Sequence, residues 1–238
     1  MTTQTTEALA AARRLADAAN DAVSVAIEAA AKLTDGGKTI DEHQAHSERI
    51  ALHATEARAA HDLVAYAERQ AAAGKPDALA EEQAFVFAAE ATHRLRSAAN
   101  AQEAFAIGER LDASELDALI RAGLDDRLVE AIGRRVIEAR GAHTTELEDQ
   151  AAALVRDSAR TFAKAEVVPI AQEMHRQDLL IPETLIQKIA GLGLFGCSVP
   201  EQYGGTEMGL LAMCVLTEEL SASSLVVGSL KYFDRRRL

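Results

Sequence analysis

Leu9, Ala12, Ala16, Ala19, Val23, Ala26, Ala30 and Leu33 recur at alternating steps of three and four residues. A helix that lays one face against another helix needs that period, and a strand cannot use it, because strand side chains alternate every two residues. Alanines on the seam let helix axes come close, so this first helix, residues 6–33, requires a neighbour along its length. Asp35-Gly36-Gly37 ends it. The seam returns at His46, Ile50, His53, Ala57, Ala60, Val64, Ala67 and Ala71. Thr39-x-x-Glu42 reads as the capping box of this second helix, and Gly74-Lys75-Pro76 breaks it after about Ala73. Asp77 is placed to cap a third helix, to about Leu111, with an apolar stripe of Phe87, Ala91, Leu95, Ala98 and Phe105. Ser114, with Asp117 three residues on, opens a fourth helix interrupted by Gly123 and Gly133 and closed by Gly141, with Leu119, Ile120, Leu124, Leu128, Ile132 and Val136 on its face. Four such helices with short breaks form an antiparallel bundle.

Composition agrees. Hydrophobic residues make up 48% of the 238, aromatics only 4%, and there is no Trp. Alanine, the strongest helix former, supplies much of the apolar count, and with only 4 Pro and few β-branched runs the fold class is all-α. The length fits one large or two small domains, and no internal repeat of fixed period appears. A formal net charge of -12 argues against nucleic acid, whose phosphates need clustered Lys and Arg. The two cysteines, Cys197 and Cys214, are too few for a disulfide framework and read as apolar packing residues. The N-terminus lacks a signal-peptide pattern, no apolar run is long enough to span a bilayer, and the default address is the cytoplasm.

Metal chemistry has a weak footing. His43, His46, His53 and His61 share the second helix, and Glu90-x-x-His93 supplies one half-motif of a carboxylate-bridged dimetal site. That site needs two such motifs and two further glutamates, so no metal ligand is assigned. Arg13-Arg14 and Arg134-Arg135 read as solvated faces. No Gly-x-Ser-x-Gly elbow and no close Cys/His pair offers a nucleophile.

The second half of the chain has a different texture. Thr145-x-x-Glu148 reads as a capping box opening a long helix to about Gln177, in which Pro169 must kink or divide the chain. Pro182–Ala190 forms a short helix with Leu185, Ile186 and Ile189 on one side. The following Gly191-x-Gly193-x-x-Gly196 matches the dinucleotide fingerprint as a string but not in context, because a helix precedes it where a strand is required. Pro200 and Tyr203-Gly204-Gly205 turn the chain, and residues 208–222 form a helix carrying Glu218-Glu219, one acid solvated and the other at a helix–helix edge.

Arg160-Thr-Phe-Ala163, Val168-Pro169, Pro182-x-x-Leu185, Leu192-Gly-Leu-Phe-Gly196, Val199-Pro-Glu-Gln-Tyr-Gly-Gly205 and Glu218-Glu-Leu-Ser221 stand in an order and at spacings that resemble the N-terminal helical domain of acyl-CoA dehydrogenases. The resemblance covers roughly residues 150–230, about a third of the chain. It implies an FAD-dependent α,β-dehydrogenation of an acyl-CoA, in which a glutamate takes the α proton, the β hydride goes to flavin N5, and electrons pass to an electron-transferring flavoprotein. The family's fold adds a β-barrel domain holding much of the flavin and a C-terminal helical domain carrying the base. Neither has a counterpart here, so no catalytic or cofactor-binding residue is carried over. The one candidate site is the loop of Val199, Pro200, Tyr203, Gly204 and Gly205, which the resemblance places where the helical domain meets the rest of the enzyme, beside the acyl pocket.

The domains are therefore read as residues 1–143, an alanine-rich helical extension; 144–230, the resembling domain; and 231–238, a basic tail that fits a truncated or frameshifted product or a short protein in its own right. A helical extension of this size resembles the branch of the family that oxidises methylsuccinyl-CoA. The chain alone is expected to bind no FAD tightly. A second reading, from a different class, is a non-catalytic helical module for oligomerisation or partner docking. Met208, Leu210, Leu211, Val215, Val226 and Val227 are expected to be exposed and to drive self-association.

Overall fold

The computed structural model describes residues 2–101, 106–107, 110–140, 147 and 149–233. Every regular element among them is helical, as the composition requires. The chain divides into two compact units, Met1–His143 and Thr144–Leu238.

In the first unit α1 (Thr2–Leu33), α2 (Gln44–Ala72) and α3 (Ala78–Ala101) each pack against the other two. α4 (Ser114–Gly123) lies on α3 and α1, and α5 (Asp126–Glu138) on α3. The seam residues Ala12, Ala16, Ala19, Val23 and Ala26 are buried, as are Ile50, Ala57, Ala60, Val64 and Ala67 of α2. Leu15 and Ala22 are buried too, because α1 meets two helices and so buries a second strip beside the seam. Leu33, at the end of α1, is exposed. On α3 the interior face is Ala84, Phe85, Ala88, Ala91 and Leu95; Phe87 is half-buried and Phe105 lies outside the described residues.

The helix ends correct several expectations. Thr39 makes no side-chain capping bond; its φ of -109° and ψ of 26° lie outside the extended conformation usual at an N-cap, and a short 3-10 turn, Ile40–His43, precedes α2. Asp77 does cap α3, its Oδ1 accepting from the amides of Leu79 and Ala80. α3 is described from Ala78 to Ala101; residues 102–105 lie outside the described residues, and Ile107 and Leu111 are not helical, so the helix does not run to Leu111 as expected. α4 does begin at Ser114 as expected, though without a side-chain capping bond, and the Asp117 carboxylate accepts from Arg96 at 2.9 Å. The fourth helix is two helices, and the break falls at Leu124-Asp125, where the Asp125 side chain accepts from Arg127 N and starts α5. Gly133 continues α5 without interruption. Gly123 matters for a different reason. A Cβ there would stand 2.5 Å from the Ala89 Cβ, so its missing side chain sets how closely α4 approaches α3.

The second unit comprises α6 (Gln150–Phe162), a π turn (Ala163–Val167), α7 (Val168–Gln177), α8 (Glu183–Gly191), α9 (Gly209–Ser223) and α10 (Leu225–Phe233). Thr145 and Glu148 lie outside the described residues, and α6 is capped by Asp149, which accepts from Ala151 N and Ala152 N. Pro169 divides the long helix as expected, through the π turn. Proline lacks an N–H, and its ring would strike the carbonyl four residues back, so the backbone widens by one residue and Val168 N bonds to Ala163 O.

α10 was not legible in the pattern of the chain. Ser224, in an extended conformation, breaks α9, and α10 folds back so closely that a Cβ on Gly228 would stand 2.0 Å from Ser221 Oγ. Two expected exposures are thereby overturned. Val227 is buried by this return, and Val215 by its place with Ala212, Leu216 and Leu220 on the inward face of α9. Met208, Leu210, Leu211 and Val226 are exposed.

Candidate functional site

The candidate loop is built from glycine chemistry. α8 ends at Gly191, Gly193 follows in a left-handed conformation with φ of 72°, and a turn at Leu194–Gly196 leads to Cys197, which is fully buried. Pro200 opens a second turn, Glu201–Tyr203, and Gly204 at φ 82° reverses the chain. The two arms of the loop are then laced together. Thr206 N donates to Gly196 O at 3.0 Å, Glu207 N to Val199 O at 3.2 Å, and Met208 N to Cys197 O at 2.9 Å. Gly205 is where the arms touch, and a Cβ there would stand 1.9 Å from Val199 O. The sequence placed both glycines in a tight turn; only Gly204 uses left-handed backbone freedom, and Gly205 is required by close approach.

Of the five candidate residues, Pro200, Tyr203 and Gly204 are exposed, with Tyr203 75% exposed at the tip, and Val199 and Gly205 are half-buried at the neck. None of the five lines the groove beside the loop, a space of about 730 Å³ between α6 and the loop's base. Its walls are Leu154, Val155, Ala159 and Phe162 on one side and Leu192, Leu194 and Met208 on the other. A second hollow of about 470 Å³ lies between the end of α7 and the α9–α10 break, bounded by Met174, His175, Leu179, Ser224 and Leu225.

Charge at the site is arranged in pairs. Arg160 grips Glu219 through two hydrogen bonds, Nε to Oε2 at 3.0 Å and Nη2 to Oε1 at 2.6 Å, and this carboxylate raises the guanidinium pKa above its ordinary value. Glu219 is thus the acid at the helix edge and Glu218 the solvated one, as the sequence expected. The pairing of Glu219 with Arg160 was not legible, because 59 residues separate them and nothing in either segment names the other. Lys188 bonds Glu166 of the π turn at 2.5 Å. Cys214 corrects the reading of the two cysteines as packing residues: Cys197 is buried, but Cys214 is exposed on α9.

The glycine string does not form a flavin or nucleotide cradle. Gly193 N is bonded to Ala190 O and Gly196 N to Gly193 O, so those amides are not free to hold a phosphate. Among the described residues no group of three or more His, Cys, Asp or Glu could hold a metal, and no helix is long and apolar enough to cross a membrane.

Residues 149–233 match the family model described as "Acyl-CoA dehydrogenase, N-terminal domain". The matched residues fall within the second unit, which is therefore similar to that N-terminal domain. Among curated proteins the chain is similar to (2S)-methylsuccinyl-CoA dehydrogenase of Cereibacter sphaeroides, 39% identical over 82 residues, which are 34% of this chain and 15% of the relative. It is similar to an acyl-CoA dehydrogenase of Bacillus subtilis, 37% identical over 75 residues, 32% of this chain and 20% of the relative. The mitochondrial short-chain specific acyl-CoA dehydrogenase of Mus musculus is 35% identical over 75 residues, 32% of this chain and 18% of the relative. The matched parts thus span a fifth or less of the length of these relatives.

Proposed function

We propose that the second unit serves as the N-terminal helical domain in an FAD-dependent α,β-dehydrogenation of a short or branched acyl-CoA, with methylsuccinyl-CoA the leading substrate. The observation that carries this reading is the coincidence of the matched segment, 149–233, with a separate compact unit, Thr144–Leu238. The likeness therefore covers a folding unit and not a scatter of short strings. The substrate rests on the similarity to the Cereibacter sphaeroides enzyme and on the helical unit that precedes the domain.

In this reading the flavin, the glutamate base and electron transfer to an electron-transferring flavoprotein depend on a β-barrel and a C-terminal helical domain, and these 238 residues alone are inactive. Val199, Pro200, Tyr203, Gly204 and Gly205 present a rigid edge to those domains beside the acyl pocket. The lacing of the loop and the exposure of Tyr203 support that role.

The test is a chimera in which residues 149–233 replace the matching segment of the Cereibacter sphaeroides enzyme. Oxidation of methylsuccinyl-CoA within about tenfold of the parent, a loss of about 1.4 kcal/mol or less in transition-state binding, is the expected result. A folded, flavin-loaded chimera without turnover would refute the reading. For the 238-residue chain itself, stoichiometric flavin absorbance with acyl-CoA oxidation would sink the claim that it is inactive alone.

A further inference from the structure

The interior of the first unit is poor in shape. Of the seven buried side chains described on α1, five are alanines, and α2 and α3 meet them largely with alanines of their own. A helix sliding along such a surface exchanges one methyl group for another at most positions. Interior packing therefore separates one register from the next only weakly. The connecting loops do not forbid a slip either. One turn is about 5.4 Å, a length that two residues drawn out of a helix end supply.

The edges of the same helices carry a second pattern. Arg13 of α1 holds Glu68 of α2 through two hydrogen bonds, Nε to Oε1 at 2.9 Å and Nη2 to Oε2 at 2.5 Å. Arg14 of α1 bridges to Glu115 of α4. Arg94 of α3 meets Glu56 of α2 at 3.1 Å, and Arg96 of α3 meets Asp117 of α4 at 2.9 Å. Arg135 of α5 bridges to Glu82 of α3. Each helix contact among α1–α2, α1–α4, α2–α3, α3–α4 and α3–α5 is thus joined by arginine and carboxylate. None of the ten side chains is buried, and pairs so open to water add little stability.

Their effect falls on the alternatives. One turn, four residues, either way from Glu68 stand Val64 and Ala72; from Glu115, Leu111 and Leu119; from Glu56, Leu52 and Ala60; from Glu82, Ala78 and Val86. From Asp117 they are Ala113 and Arg121, the second a like charge. A one-turn slip therefore breaks each bridge and lays its arginine against an apolar group or another arginine, which costs more than the bridge contributes in place. α1 and α3 share a different link, Thr92 Oγ1 to Leu15 O at 3.2 Å, but that hydroxyl also reaches Ala88 O of its own helix at 2.7 Å and keeps a partner after a slip. The α1–α3 register follows instead from the bridges that both helices make to α2.

We infer that these arginine–carboxylate bridges are the register lock of the first unit: the alanine interior holds the helices together, and the bridges decide which positions stand side by side. The inference concerns the first unit alone and stands whether or not the proposed reaction does.

The test reads register directly in the full chain. Spin labels are placed at Ala31→Cys on α1 and Ala59→Cys on α2, both exposed, with Cys214→Ser removing the exposed native thiol. Labelled protein is diluted into unlabelled protein, so that pulsed electron paramagnetic resonance reports distances within one chain. The parent is expected to show one distance. Arg13→Met with Glu68→Met, Arg14→Gln and Glu115→Gln frees α1 from both of its bridges. This variant is expected to keep its far-ultraviolet helicity and to gain a second distance, from a slip of about 5.4 Å along α1. The parent's single distance in the folded variant would overturn the inference. Should that variant lose its helicity, Arg13→Glu alone and Arg13→Glu with Glu68→Arg decide the matter. The lock requires a second distance in the single reversal and its disappearance in the exchanged pair; any other pattern overturns it.

Discussion

Gly205 shows how a residue with no side chain can be the least replaceable in its neighbourhood. The arms of the loop meet at its Cα, and an added methyl group would overlap the Val199 carbonyl. Gly205→Ala is expected to destabilise the second unit by about 1–3 kcal/mol, because backbone on both arms must move. Gly133→Ala is the control. That glycine stands inside α5 with nothing within 4 Å of its added Cβ, so the substitution should stabilise the first unit by roughly 0.5–1 kcal/mol through helix propensity alone. Thermal unfolding of the two variants reads both signs. Glu81 makes a pH argument at the same scale. It is buried in the first turn of α3, and burial, followed by the nearby Asp77 carboxylate, pushes its carboxyl above the ordinary value. The folded form then holds this proton more tightly than the unfolded chain does. Ionised Glu81 is a penalty above the raised value, and the penalty fades as the pH falls through it and is gone below the ordinary carboxylate range. Glu81→Gln should therefore raise the melting temperature at neutral pH and lose that advantage in acid; an advantage that persists in acid would assign it to packing.

Among the elements, caps divide the real from the apparent. Asp149 accepts from two amides at the start of α6, and Asp149→Ala should cost about 1 kcal/mol. Thr39 has the expected residue type and spacing but makes no capping bond, so Thr39→Ala should stay within about 0.5 kcal/mol in the same denaturant titration. This contrast shows how far the elements could be read from the chain. The seams of α1 and α2 were legible because a helix that buries one strip repeats it in its sequence, and Ile50, Ala57, Ala60 and Val64 are buried as that repeat requires. Leu15 and Ala22 were not singled out, since a second strip appears only when a second partner is known. The π turn was half legible. Pro169 announced a division of the long helix, but the sequence did not say that the backbone before it would widen by one residue and not kink. At the candidate site the turn and its glycines were visible in sequence, whereas the lacing of 196–199 to 206–208 joins residues whose side chains play no part in it. The return of α10 over α9 was invisible for a like reason: it depends on one small residue, Gly228, meeting another, Ser221.

At the scale of the molecule, the two units divide their apolar surface unequally. In the second unit Leu154, Leu180, Leu192, Leu210, Leu211 and Leu225 are all exposed, several of them beside the groove or the hollow. We therefore propose that the chain self-associates through this unit, and Leu210→Ser, at a residue 81% exposed, should weaken association in sedimentation while leaving the melting temperature within a few degrees. A sedimentation profile unchanged by Leu210→Ser would remove α9 from the contact. The first unit carries a different consequence in its alanine interior. Ala12, Ala16, Ala19, Ala22 and Ala26 of α1 face Ala57 and Ala60 of α2 and Ala84, Ala88 and Ala91 of α3, with Gly123 of α4 against Ala89. Such an interior is written in an alphabet of almost one letter. Each position admits few substitutes, yet the residue it keeps is the commonest helix former, so fidelity to the shape leaves little information in the text. Two bundles of this kind could share an ancestor and preserve every interior contact while their sequences retained no more likeness than chance alanines provide. Descent in the first unit is therefore recorded in how closely its helices approach, and in the second unit in the spelling of its loops.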